Sequence, residues 1–109
     1  MMPDFTRLLE AARAVVGEFR SDGCVSAGDV GAAVLSSSGE VFTGVCIDAA
    51  CGIGFCAEHA AIAEMLKKRQ TKILACVAVG KEGVPIPPCG RCRDFMHQLS
   101  PANMDSMIM

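Results

Sequence analysis

A chain of 109 residues, 51% of them apolar, has material for one hydrophobic core and not for two, so residues 1–109 read as a single domain. A formal net charge of −2 excludes the basic footprint that nucleic acid or an anionic membrane surface demands. No apolar run approaches the ~18 residues of a membrane-spanning helix, and MMPDFTRLLEAARAVV lacks the apolar stretch of a secretory signal, so a cytoplasmic location is expected.

In chain order, Asp4 is placed to cap a helix over 4–19, with Phe5, Leu8, Leu9, Ala12, Val15 and Val16 on one stripe. Residues 30–35 and 41–47 read as strands, and Ser37-Ser38-Gly39 between them has the composition of a hairpin turn. A glycine-bearing loop over 48–54 leads to a helix over 56–69. Ala60, Ile62, Ala63 and Leu66 are expected to face inward, and Lys67, Lys68 and Arg69 suit its C-terminal dipole. Residues 73–80, ILACVAVG, form an apolar run of strand length, expected to be a central strand covered on both faces. A loop over 81–88 follows, then a helix from Cys89 to before Pro101, and 104–109 make a last short strand. The order α-β-β-α-β-α-β predicts an α/β fold: a sheet with helices on both faces, one hairpin, and otherwise parallel crossovers.

Seven cysteines, at 24, 46, 51, 56, 76, 89 and 92, are an odd number, which does not suit a disulfide framework. Spacing picks out three of them. Cys56 heads one helix, and Pro88-Cys89-Gly90-Arg91-Cys92 sets two thiols one turn apart at the start of another. Helix N-termini stabilise thiolate through their unpaired N–H groups and dipole. Three thiolates meeting at one point would hold zinc and leave its fourth position open, as catalytic sites do. Glu58, two residues from Cys56, is then placed as a general acid/base. A CxxC redox pair and a non-catalytic zinc-stabilised domain are the alternatives; a purely structural zinc site has no use for the carboxylate at Glu58, and a redox pair would act without zinc. Cys24 and Cys76 read as loop or core thiols, His97 as a surface or interface residue, and 67–69 as a solvated helix end.

Cys56-Ala57-Glu58 followed by Pro88-Cys89-x-x-Cys92 is the order shared by zinc deaminases. The chain resembles the cytidine deaminase family in its three-cysteine form, blasticidin-S deaminases included. Phe42-Thr43-Gly44, Val77-Ala78-Val79-Gly80 and Arg93 extend the similarity. The resemblance implies a three-layer α/β/α fold with a mixed sheet and a homotetramer with active sites near subunit interfaces. It also implies Zn²⁺ held by Cys56, Cys89 and Cys92, and hydrolytic release of ammonia from a small aminopyrimidine substrate. Cytidine or deoxycytidine is the first expectation, in pyrimidine salvage, and blasticidin S the alternative. Glu58 would move the protons, and the backbone at Ala57 and Pro88 would grip the base edge. Cys46 and Asp48 stand where the family places an asparagine and a glutamate on the ribose, so sugar binding is expected to be weakened. His59 replaces an arginine that offsets thiolate charge. The family continues past the position of Met109 with a strand and a segment that helps close the site, so a more open pocket is expected.

Overall fold

The computed structural model describes residues 5–50, 54–80, 82–87, 90–105 and 107–108. Its elements are α1 (Phe5–Val15), β1 (Phe19–Arg20), β2 (Ser26–Ser36), β3 (Val41–Asp48), β4 (Gly54–Phe55), α2 (Ala57–Lys67), β5 (Ile73–Val79), α3 (Gly90–Leu99), a 3₁₀ turn (Pro101–Asp105) and β6 (Met107–Ile108). The sheet runs β4-β3-β2-β5-β6. β1 extends it by pairing with the start of β2, at Phe19↔Ala27 and Arg20↔Ser26.

β2 is antiparallel to both β3 and β5, so those two strands point the same way with β2 between them. The first connection is the expected hairpin: Gly39, at φ +93°, lets its N–H reach the Ser36 carbonyl at 3.0 Å. α2 then carries the chain over β2 from β3 to β5, and α3 links β5 to its parallel neighbour β6. Burial along β5 is nearly continuous, as its composition predicted. Its exception is Leu74, which bulges where the register jumps between Leu35↔Ala75 and Ser36↔Ile73.

Side chains alternate across this sheet, and each face has its own core. Ala33, Ala75, Val77 and Val79 pack on Leu8 and Ala12 of α1. Val34, Phe42, Ile73 and Cys76 pack on Ala61, Ile62 and Met65 of α2 and Met96 of α3. The helices thus lie on both faces. At its far end α3 is tied to β5 by Asn103. The Ile73 N–H donates to its Oδ1 at 2.7 Å, and its Nδ2 donates to the Met96 and Thr71 carbonyls at 2.8 and 2.9 Å.

Three expectations need correcting. α1 stops at Val15 rather than near Phe19; after Gly17 the chain turns to pair as β1, which leaves Phe19 exposed. β1 and β4 were not anticipated as strands, because two-residue strands carry no period. The inward face of α2 is Ala57, Glu58, Ala61, Ile62 and Met65, with Ala63 exposed and Ala60 and Leu66 half-buried. Gly44 explains that rotation. Any Cβ there would collide with the Ala60–Ala61 backbone, so the helix lies directly on β3 through its alanines. The proposed Asp4 cap lies outside the described residues.

Candidate metal centre and active site

α2 begins at Cys56, whose backbone is extended (φ −74°, ψ 157°) and whose carbonyl accepts from the His59 and Ala60 N–H groups at 3.1 and 3.3 Å. That first turn places Cys56 and His59 on one side of the helix, as residues three apart must be. α3, packed beside α2, supplies Cys92, which is fully buried. Ligand atoms of Cys56, His59 and Cys92 all lie within 4.8 Å of one another. His59 Nδ1 stands 3.5 Å from Cys92 Sγ, and about 3.6 Å separates a sulfur from a nitrogen on one tetrahedral zinc. Thiolate and imidazole are the donors zinc prefers, so the cluster fits that ion.

The His59 ring is fixed by stacking on Phe95 of α3, centroids 4.9 Å apart and planes 8° from parallel. Burial holds its pKa below the usual histidine value; the Arg91 guanidinium adds to this, and the Glu58 carboxylate opposes it. This favours the neutral imidazole, which has one N–H and one lone pair to offer.

Glu58, one residue into the helix, is only 4% exposed. It lines a cavity of about 440 Å³ together with Cys56 and Ala57. β3 contributes Cys46 and Asp48 to the wall, and the loop after β5 contributes Ile86 and Pro87, held by an Ile86 N–H···O Ala78 bond of 2.8 Å. Cys46 is buried, and its sulfur accepts the Val30 N–H at 3.3 Å; Asp48 is exposed.

Of the residues singled out in the sequence, Cys56, Ala57, Glu58, Cys46 and Asp48 share this one cavity, and Cys92 joins Cys56 through the ligand cluster. Cys89 and Pro88 lie outside the described residues, as does Cys51. His59, read only as a replacement for an arginine, stands in the cluster itself; its place one turn after Cys56 was the available signal. Asp29, Phe55 and Ile86 were not anticipated in the cavity lining, since only strand pairing and the loop path bring them there. The remaining thiols separate as expected: Cys24 is exposed, and Cys76 is a core residue whose thiol is pushed up to about 12 by burial, with Glu58 adding to it. His97 is exposed on α3.

No helix among the described residues is long and apolar enough to cross a membrane. Residues 5–107 match the family described as the cytidine and deoxycytidylate deaminase zinc-binding region. A cytidine deaminase from Halalkalibacterium halodurans is 37% identical over 75 residues, which are 68% of this chain and 57% of that protein. One from Mycobacterium tuberculosis is 35% identical over 68 residues, 62% of this chain and 51% of that protein. The chain thus spans little more than half the length of these sequence relatives. The crystal structure of cytidine deaminase from Mycobacterium leprae superposes with a TM-score of 0.82 at 25% identity, covering 99% of this chain and 88% of that one. The Mycobacterium tuberculosis enzyme gives 0.82 at 26%, covering 99% and 85%. With the zinc-type ligand cluster and the buried glutamate beside it, this match over nearly its whole length means that the chain belongs to the cytidine and deoxycytidylate deaminase zinc-binding family.

Proposed function

We propose that this protein is a zinc-dependent hydrolytic deaminase that releases ammonia from an aminopyrimidine nucleoside, with cytidine and deoxycytidine the first substrates. The observation that carries this reading is a buried carboxylate, Glu58, sharing a cavity with Cys56 of the ligand cluster. The sequence relatives and structural neighbours named as cytidine deaminases support it.

Cys56 and Cys92 would hold the metal, with Cys89 as the third thiolate. Zinc supplies, when bound, the Lewis acidity that makes a nucleophile from water at neutral pH. With three thiolates in place, a fourth protein ligand would close the site, so His59 serves best as an N–H donor to Cys92 through Nδ1. Glu58 takes one proton from the attacking water as the water oxygen bonds to C4 of the ring, and passes it to N3. It then takes the second proton from that oxygen and gives it to the amino group, whose bond to C4 breaks. Ammonia leaves, and C4 keeps the oxygen as a carbonyl. The free N–H groups of the first turn, at Ala57 and Glu58, and the backbone near Pro88 hold the base edge. Cys46 forms apolar wall, which leaves Asp48 to meet the sugar.

The protein acts as a homo-oligomer, a tetramer by analogy, in the cytoplasm, in pyrimidine salvage. Phe19, Phe55, Leu74, Val84 and Ile86 are exposed, and Phe55 and Ile86 sit at the cavity, where a second subunit would cover them. Ammonia release from cytidine and deoxycytidine by zinc-loaded protein tests the reading. Turnover that disappears on chelation and returns with zinc is expected; a zinc-replete protein inert toward both nucleosides would overturn it.

A further inference from the structure

The part of the cavity wall formed by Ile86 and Pro87 is braced from the opposite face of the sheet. Beyond Val79 the chain reverses and runs back along the end of β5. The Gly83 N–H donates to the Gly80 carbonyl at 2.8 Å, and the Gly80 N–H to the Val84 carbonyl at 3.0 Å. Val79 and Pro85 form an antiparallel bridge, and the Ile86 N–H donates to the Ala78 carbonyl at 2.8 Å. Gly83, at φ +75°, is the left-handed residue that lets so short a reversal join two antiparallel legs. The register of the return leg, 84–86, on β5 decides where Ile86 and Pro87 stand in the cavity. The next residue, Pro88, carries the base-edge contact in the proposed mechanism.

The tip of this reversal is held by α1. Arg13 Nε donates to the Gly83 carbonyl at 2.9 Å, across 70 positions of sequence. The arginine side chain also lies along the glycine. A Cβ built at Gly83 would stand 3.2 Å from Arg13 Nε, 3.4 Å from its Cγ and 3.5 Å from its Cδ. Gly83 thus serves twice, as left-handed backbone and as a bare surface for Arg13. Val84 is 60% exposed and Ile86 faces the cavity, so within the chain hydrogen bonds hold this leg rather than a packed core. The Arg13 bond is charge-assisted, and it starts from a rigid element: Leu8 and Ala12, the residue before Arg13, are buried against β2 and β5.

We infer that Arg13 is a positioning residue for the reaction: through Gly83 it holds the return leg on β5, and with that leg the Ile86–Pro87 wall beside the substrate ring. This rests on the deaminase reading and adds to it a residue from the face of the sheet that carries no chemistry. Arg13 is absent from the cavity lining and from the ligand cluster, so its loss should act on substrate binding more than on the chemical step. A charged donor on one surface carbonyl shifts a loop equilibrium by about fivefold. Binding that needs the held conformation weakens by no more than that factor.

The test compares zinc-loaded wild type, Arg13→Ala, Gly83→Ala and the double variant by amide hydrogen exchange and by ammonia release from cytidine. In Arg13→Ala, exchange of the Gly80 and Ile86 N–H groups should quicken by about fivefold. The Ile73 N–H, held by Asn103 at the other end of β5, should not change. KM should rise by about three- to fivefold with kcat within about twofold of wild type. The double variant should be no worse than Gly83→Ala alone, since both substitutions break one contact; additive effects would overturn the inference. Should Gly83→Ala fail to fold, exchange and the KM-against-kcat split in Arg13→Ala decide by themselves. Faster exchange with KM unchanged, or a higher KM with exchange unchanged, would overturn the inference and leave the deaminase reading standing. A wild type that releases no ammonia sinks that reading instead. Exchange then tests the brace alone: faster exchange at Ile86 in Arg13→Ala upholds it, and unchanged exchange overturns it.

Discussion

α1 and the α2–α3 pair cover opposite faces of one sheet, and they are built from different chemistry. On the α1 face, Leu8 and Ala12 meet alanine and valine side chains in an apolar seam. On the other face Ile62, Met65 and Met96 pack in the same way, but one end of that seam holds a buried Glu58, a buried Cys92, and a half-buried Cys56 and His59. Burying an ionisable group costs several kcal/mol unless something returns it. The α1 face shows that the fold closes without any such group. The second face carries that cost, and under the proposed function a bound metal ion and a substrate would offset it.

The sharpest way to break this contrast is to remove a ligand. Cys92→Ala and Cys89→Ala should each lose zinc and much of the stability, because zinc binding is coupled to folding and carries about 10–16 kcal/mol in zinc-finger peptides at neutral pH. Metal content and thermal unfolding read this directly; full zinc retention in either variant would remove that residue from the site. Leu8→Ala probes the other face. Its side chain is 1% exposed, so about 2–5 kcal/mol of stability should go, with zinc content intact and turnover per folded molecule within about twofold. A large loss of turnover in the folded fraction would mean that the two faces are not independent.

Smaller effects sharpen the picture. Asn103→Ala withdraws one acceptor and two donor contacts that tie α3 to the start of β5, and about 1–3 kcal/mol should follow. As α3 carries Cys92, zinc affinity should fall with it, and denaturant melts with chelator competition would show both. Smallest is Glu40, at the hairpin, whose carboxyl is held below the usual range by a hydrogen bond from Lys68 and then by one from Gln70. A lowered folded-state pKa means a contribution present above the ordinary pKa of 4.5 and lost as pH falls below it. Glu40→Gln should slightly lower stability at neutral pH, less so in high salt, leave it nearly unchanged in acid below the carboxylate range, and so flatten the acid limb of the melting curve.

Part of the candidate site was legible because it is local. Cys56-Ala57-Glu58 reads from one helix turn, and the hairpin turn and the apolar run of β5 read from composition and period. What escaped the sequence depends on tertiary pairing. The rotation of α2 follows from its contact with Gly44 on another element. The bow at Asp29 exists only in the register between β2 and β3, where β2 advances four positions from Ala27↔Ile47 to Gly31↔Val45 while β3 advances two. His59 becomes a cluster member because α3 delivers Cys92 and Phe95 to it across more than thirty residues.

The central claim is that Glu58 is buried for proton transfer at the metal, and ammonia release by Glu58→Gln at matched zinc content tests it most directly. The variant should keep its zinc and its fold, since glutamine fills the same space, while turnover of cytidine falls by about 10²–10⁴-fold or more. Turnover within about tenfold of wild type would contradict the account, because another group would then be moving the protons.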